Sequence, residues 1–416
     1  MHKLNYSVYA AAIILYGLYV FFMPHEGLPY DIECWIQWAQ SIHEHSLGAI
    51  YKAECNYLPG HLIEFKAYTL LFPSKVLIAQ NIHYLKYFTF IFDVAGALLV
   101  CSLLPGTRNQ MLILFAMLLN PAFVHNTVAW GQFDSVFSFF IFASCISLFR
   151  KNIFLSAMFF LISINFKLQA IMFVPVLILM AAVVLEFRID WKKLLLWAAG
   201  LIAIQVLILL PFILQGTWKS VFYNVKGLAG DYSYISLKAA NIWHLMMSGD
   251  LRWTADWNTF QRITFKRWGF IMMCVTLFIT VVPMLKSIYL KLKKTSAEIP
   301  LEKLLLIFCL VPLCFYYFNT QMHERYSYPV FLFIAGYSAI TKRWWLYILF
   351  SSAYFLNNEG ALKVMTFFNF NSFMFDFRFI ASLYLATITS CILFLYKGFK
   401  SKPEPKSVIT PQPITL

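Results

Sequence analysis

Charge is the scarcest commodity in this sequence. Only 12% of its 416 residues are Asp, Glu, Lys or Arg, against about 25% in an ordinary soluble domain. No polar stretch between Tyr9 and Tyr396 is long enough to enclose a core of its own. That balance excludes a soluble globular fold. Also missing are GxGxxG, GxxxxGK[ST] and any cytoplasmic segment large enough for a nucleotide-binding fold, so chemistry drawing on a bound nucleotide has no place to sit. His323-Glu324 is not part of an HExxH, which removes zinc-protease chemistry of that type. No small-residue cleavage site follows the first apolar run, which reads as a retained signal anchor. Internal repeats are absent, which weakens a secondary-transporter reading. Segments alternating with a period of two are absent as well, which rules out a transmembrane barrel.

What is present is apolar. Hydrophobic residues make up 61% of the chain, in runs that only helices can carry through lipid, because each backbone polar group must find a partner within its own segment. Allowing 17–21 residues per crossing, helices are expected at 7–23, 86–104, 110–128, 133–149, 153–166, 168–186, 194–214, 267–285, 303–319, 328–341, 344–356 and 378–396. The fold class is therefore an all-α polytopic membrane protein with about twelve transmembrane helices. One membrane domain covers 1–398, and a Pro-rich polar tail, 399–416, is expected to be disordered.

Charge then sets orientation. Arg150-Lys151, Arg188 with Lys192-Lys193, the 286–303 cluster, Lys342-Arg343 and the tail all fall on one side of this layout. The positive-inside rule puts them, and both termini, in the cytoplasm. Nearly all of the net charge of +14 is thereby explained by topology and anionic lipid. No nucleic-acid partner is needed. Two long segments, 24–85 and 215–266, and three short ones, near 130–135, 319–326 and 357–377, lie outside, where any chemistry is expected.

The first outer segment opens with LPYDIECWIQWAQSIHEH. Ile32, Trp35, Trp38, Ala39 and Ile42 recur at helical spacing, which predicts an amphipathic helix lying in the membrane interface with tryptophans at headgroup level. Asp31 begins it, and an aspartate there is either an N-cap or a working carboxylate. Glu33, two residues on, gives a weak Asp-x-Glu metal pair. His43 and His45 do not share a helix face. Six of the eight cysteines lie in or beside apolar runs and read as small hydrophobes. Cys34 and Cys55 are on the outer face, where an oxidising compartment would let them join and staple the loop, or leave them as separate thiols.

Three further clusters stand out. In NPAFVHNTVAWGQFDS, Gly131 permits a turn, and Asp134-Ser135 can cap the next helix. Lys167 sits at a break between two spans, a costly place for an unpaired cation. NTQMHERYSYP packs His323, Glu324, Arg325 and Tyr326 between two crossings. A Glu324–Arg325 pair there would be structural, but ionisable groups at a membrane boundary point to a functional site by default.

Together WGQFDS, KLQ (167–169) before a helix carrying Pro175, DYSYISLKAANIWHL (231–245) and MHERYSYP resemble the bacterial integral-membrane family related to the second mannosyltransferase of glycosylphosphatidylinositol anchor synthesis. The matching positions run in order from Asp31 to Pro329. Departures are Tyr57-Leu58-Pro59 for Tyr-Pro-Pro and Lys167-Leu168-Gln169 for Lys-Pro-Gln. The resemblance implies a GT-C glycosyltransferase fold with a catalytic acid in the first outer loop. The donor it implies is a polyprenyl-phosphate sugar, and the acceptor an extracytoplasmic glycan or lipid. On that reading Asp31 is the base, and Arg325, Lys167 and His323 hold the donor phosphate. Gln132, Asp134, Glu324, Tyr326 and Asn241 orient the sugar or the cations. A divalent metal is left open, and the setting is the bacterial inner membrane, in contact with membrane lipids. The competing expectations are an outer-face ligase or polymerase with a diphosphate-linked donor, and a flippase or transporter of lipid-linked sugar.

Overall fold

A computed structural model describes residues 2–53, 55–185, 190–227, 233–293 and 298–397. The 399–416 tail, Arg188, and Asp231-Tyr232 of the second-loop stretch lie outside the described residues. The chain is an all-α membrane protein. Its helices are α1 (Tyr6–Phe22), α2 (Pro29–Glu44), α3 (Pro59–Thr69), α4 (Lys75–Gln80), α5 (Tyr84–Cys101), α6 (Thr107–Leu118), α7 (Pro121–His125), α8 (Asp134–Phe149) and α9 (Ile153–Phe166). There follow α10 (Val174–Leu185), α11 (Trp191–Leu214), α12 (Trp218–Gly227), α13 (Ile242–Met246), α14 (Phe265–Leu292), α15 (Leu301–Phe318), α16 (Val330–Thr341), α17 (Trp344–Leu362) and α18 (Phe377–Tyr396). Each of the twelve apolar runs is helical. Five of these helices are individually long and apolar enough to cross a membrane.

Three of the expected spans differ in detail. The run at 110–128 is broken: α6 and the helix from Pro121 to Trp130 meet at a bend of 51°. Pro121 has no N–H and cannot continue α6. Asn120 restarts the helix by accepting from the Ala122 amide at 2.9 Å, and its own amide donates to Tyr347 Oη and Ser351 Oγ. The 168–186 run begins as a tight 3-10 turn, Leu168–Phe173. Finally, α17 runs six residues beyond the expected 356, carrying Asn357, Asn358 and Glu359 into the interior rather than into an outer loop. Glu359 is stabilised there by His125, whose Nε2 lies 2.8 Å from it, and by the Met365 amide.

The apolar core has two main parts. The larger gathers α1, α5, α6, α8, α10 and α15 to α18. The smaller lies beneath the first outer segment, where Trp35, Trp38, Ala39 and Ile42 of α2 pack with Leu62 and Phe65 of α3, Ile78 of α4, and Phe133. Here the expected interfacial helix is corrected. Trp35 is 1% exposed and packs on Phe133 at a tilt, with centroids 4.6 Å apart, so the α2 stripe faces protein and not headgroups. Helical spacing reveals that a face is buried but not what buries it.

Lys86, on α5, joins these parts. It is fully buried, and its ammonium donates to the carbonyls of Pro24, Val128 and Glu26. It thereby ties the chain leaving α1 to the turn ahead of α8. Lys86→Met keeps the length and removes all three donated bonds. It is expected to cost about 2–4 kcal/mol of stability, since each stranded buried acceptor carries a desolvation penalty. Thermal unfolding in detergent checks this, and an unchanged midpoint would show that the carbonyls find other donors.

Candidate functional site

The site is built around one turn. Residues 126–130 form a π-turn, and the chain reverses at Gly131, whose φ of +92° few side chains tolerate. Space is tight too: a Cβ there would lie 3.1 Å from Lys86 Cε and 3.2 Å from the Trp35 ring, so these neighbours would have to shift. The amides of Gly131 and Gln132 both donate to the Asn126 carbonyl. With the backbone so fixed, Trp130 and Gln132 reach the same partner. Trp130 Nε1 donates to Asp31 Oδ2 at 3.0 Å and Gln132 Nε2 donates to that oxygen as well.

Asp31 therefore does not cap α2. The N-cap is Leu28, Pro29 takes the first turn, and the Asp31 carboxylate is turned back toward the 130–132 segment. Glu33 is exposed, so the two acids do not converge, and among the described residues no group of three or more His, Cys, Asp or Glu is placed to hold a metal. Glu44 pairs with Lys75 instead of joining His43 and His45. Cys34 and Cys55 are both free thiols, the first half-buried and the second buried, and burial pushes the Cys55 thiol up to about 12.

Asp134 does not act as a cap either. It is the first residue of α8, whose N-cap is Phe133 with no side-chain hydrogen bond. Its buried carboxylate accepts from Lys167 Nζ, and its Oδ2 lies 3.3 Å from Arg325 Nε. Lys167 comes from the extended residue joining α9 to the 3-10 turn. Its ammonium also sits 4.6 Å from the Tyr326 ring centroid and 5.2 Å from that of Phe137. Arg325 lies over Trp130 at 5.2 Å, so one indole donates to Asp31 through its edge and meets the guanidinium with its face. Such cation–π contacts gain when desolvated.

The expected Glu324–Arg325 pair gives way to two others. Arg325 pairs with Asp134, while Glu324 lies 3.7 Å from His323. Burial would raise the Glu324 carboxyl, but His323 and Arg325 outweigh it and hold the group below its ordinary range. The loop carrying them is clamped from two sides. Met322–His323 pairs as a short parallel strand with Ser236–Leu237, and Gln169 Nε2 donates to the Tyr326 carbonyl at 2.7 Å. Four segments far apart in sequence, 130–134, 167–169, 236–237 and 322–326, are thus brought together.

Between them opens a cavity of about 400 Å³. Gln132, Asp134, Lys167, Gln169, Arg325 and Tyr326 form its polar wall, and Tyr57, Phe133, Phe166 and Phe315 its aromatic one. Asp31 stands one hydrogen bond behind Gln132, and His323 and Glu324 adjoin the wall without lining it. Asn241 lies elsewhere: it caps α13 by accepting from the Trp243 amide and donates to the Asn319 carbonyl.

Sequence reasoning passed over two contributors, Trp130 and His61. Trp130 lay inside a quoted motif but carried no assigned role. His61 gave no signal beyond following Pro59-Gly60, yet it lines the cavity, enclosed by Tyr57, Phe133 and Phe166 and 3.4 Å from Glu64. Burial and Lys167 drive the imidazole down to about 3, and burial raises the Glu64 carboxyl well above its ordinary value. Both shifts favour the uncharged forms of the pair.

No family model matches this chain, and no curated protein matches it in sequence.

The ionic centre sets an order of stabilities. Asp134→Asn leaves two partly buried cations facing each other and is expected to cost about 3–5 kcal/mol. Lys167→Met leaves Asp134 still paired with Arg325 and is expected to cost less. Unfolding midpoints of the two variants decide it, and the reverse order would mean that Asp134 does not hold the centre together.

Proposed function

We propose that this protein is an integral-membrane glycosyltransferase of the GT-C type. It moves a hexose, mannose-like, from a polyprenyl-phosphate donor to an extracytoplasmic glycan or lipid acceptor with inversion, Asp31 acting as base. The observation that carries the reading is the pairing of two unlike carboxylates. Asp31 is held on one oxygen by two neutral donors, whereas Asp134 is neutralised by two cations beside a cavity. An acceptor hydroxyl attacking an anomeric carbon needs a carboxylate to take its proton, and such help is typically worth about 10²–10⁴-fold. The departing lipid phosphate needs positive charge in a low-dielectric site. Lys167 and Arg325 supply it, and Arg325 has the planar fork suited to phosphate oxygens.

The charge count favours this donor over a diphosphate-linked one. Among the described residues lining the cavity, Lys167 and Arg325 are positive and Asp134 negative, leaving one surplus positive charge. A sugar phosphodiester carries one negative charge, and a diphosphate carries more.

Twelve crossings with cytoplasmic termini agree with the way helix ends sort. Residues 57, 132–134, 321–322 and 325–326, all assigned outside, line the cavity, and Lys167, between two spans, joins them there. At the ends assigned inside, Lys303 donates to carbonyls at 394, 395 and 397, Lys291 to Val183, and Lys151 lies 3.8 Å from Glu298.

Purified protein with polyprenyl-phosphate mannose, glucose, galactose and aminoarabinose, scored for acceptor-dependent release of lipid phosphate, tests the reading. Sugar moved across the bilayer with no bond broken would support a flippase instead. Asp31→Asn is expected to fold normally, since its amide oxygen can still accept from Trp130, and to lose most turnover. Transfer within about threefold of wild type would remove Asp31 as the base. Arg325→Lys keeps the charge and loses the fork, so donor binding should weaken markedly, and more so in Arg325→Ala. Unaltered donor affinity in a well-folded Arg325→Ala protein would take Arg325 out of the site.

A further inference from the structure

The amphipathic helix α12 is built the wrong way round for water. Its protein-facing side carries Ser220, Val221 and Asn224, of which Val221 belongs to the core beneath the first outer segment. Its outward side carries Trp218, Phe222 and Tyr223, which are 50%, 70% and 71% exposed, with Lys219 beside them, its ammonium 5.8 Å from the Trp218 ring centroid where a long side chain can reach the headgroups. One isolated exposed aromatic needs no explanation. Three within two turns of one short helix, clustered on its outward face, describe a helix whose outer medium is apolar.

The neighbouring span identifies that medium. Within α11 Phe212 alone is buried, and Leu207, Leu210, Ile213 and Leu214 are exposed up to its outer end. A helix of that composition faces lipid. The chain then turns through Gln215, Gly216 and Thr217, with Gly216 at φ +68° and the Thr217 amide donating back to the Phe212 carbonyl at 2.8 Å. Three residues reach at most roughly 10 Å, so α12 begins within that distance of the hydrocarbon edge. Its exposed aromatics continue the lipid-facing surface of α11 at the depth where Trp and Tyr settle in bilayers.

We propose that α12 is the interfacial anchor of the outer face, with Trp218, Phe222 and Tyr223 seated in the outer leaflet of the lipid bilayer, and that it fixes the wall of the cavity at headgroup depth. The link to the cavity is direct. Asn224 Nδ2 donates to the carbonyl of Tyr57 at 3.2 Å, and Gln215 Oε1 accepts from the Gly48 amide at 2.6 Å. Tyr57 lines the cavity and accepts at its hydroxyl from Trp35 Nε1. A ligand with its polar head in the outer leaflet therefore meets the cavity at the depth α12 sets. The proposal depends on the chain being a membrane protein and not on glycosyl transfer.

The test places a nitroxide label at Phe222→Cys, and separately at Tyr223→Cys, in the full chain with Cys34→Ser and Cys274→Ser. The protein is reconstituted in phosphatidylethanolamine–phosphatidylglycerol nanodiscs. Power saturation should show collisions with oxygen exceeding those with a water-soluble nickel chelate at both positions. Dominant nickel collisions would place α12 in water, and low collisions with both reagents would mean that protein covers it; either result overturns the anchor. For the link, Asn224→Leu should speed hydrogen exchange of the amides around Tyr57 about fivefold or more while leaving label depth unchanged. Unchanged exchange there would overturn the coupling.

Discussion

One buried carboxylate holds this site together. Asp134 lies at the start of α8, shut off from water, where an unpaired charge would cost several kcal/mol. It is tolerable only because Lys167 and Arg325 reach it from two other parts of the chain. Conversely those cations, placed at the ends of apolar helices, have Asp134 as their common counter-charge. The α9 break and the 319–329 loop are thereby drawn to the Gly131 turn. The surrounding hydrogen bonds, Gln169 to the Tyr326 carbonyl and the strand pair 236–237 with 322–323, give this convergence a fixed shape.

Trp130 connects this ionic centre to Asp31. Its indole N–H donates to the carboxylate and its face receives the Arg325 guanidinium, so the positions of acid and cation are not independent. The two carboxylates are nonetheless kept electrostatically distinct. Asp134 is neutralised by full charges, which ties it up in structure and electrostatics. Asp31 is held by neutral N–H groups on Oδ2 alone, an arrangement that orients a carboxylate without neutralising it. Two acids that differ in this way suit the two different tasks, proton acceptance and cation positioning, that the proposed transfer requires.

Much of this was legible in the sequence, for a specific reason. Lipid demands long apolar runs, so these segments declared themselves as helices by composition, within a few residues at most ends. Polar residues stranded at the ends of those runs, Lys167, Asp134 and Arg325, stood out because such places are costly. Pairing was not legible. Glu324 is adjacent to Arg325 in sequence, yet Arg325 turns to an aspartate 191 positions earlier, because only the fold decides which groups are desolvated together. The apolar stripe of α2 showed a buried face without showing that protein buries it. His61 and Trp130 looked like ordinary aromatic residues until tertiary structure put them on the cavity wall and against Asp31. The end of α17 differs because Asn357-Asn358-Glu359 reads as loop, whereas the burial of Glu359 rests on His125, from a distant helix, and on the Met365 amide.

Those interior polar groups also bear on the choice between catalysis and transport. A path for a charged headgroup through the bundle would need polar side chains with capacity left for a passing ligand. Asp93 has both oxygens occupied, one by Tyr328 Oη and one by Thr127 Oγ1 at 2.7 Å. The Glu359 oxygens are likewise occupied, by His125 and the Met365 amide. Tyr328 and Thr127 belong to the segments that carry Arg325 and Trp130. These buried acids thus hold the two turns in register beneath the cavity. That distribution, interior acids closed by protein donors and two cations at the outer cavity, is the one the proposed transfer at the membrane surface would use.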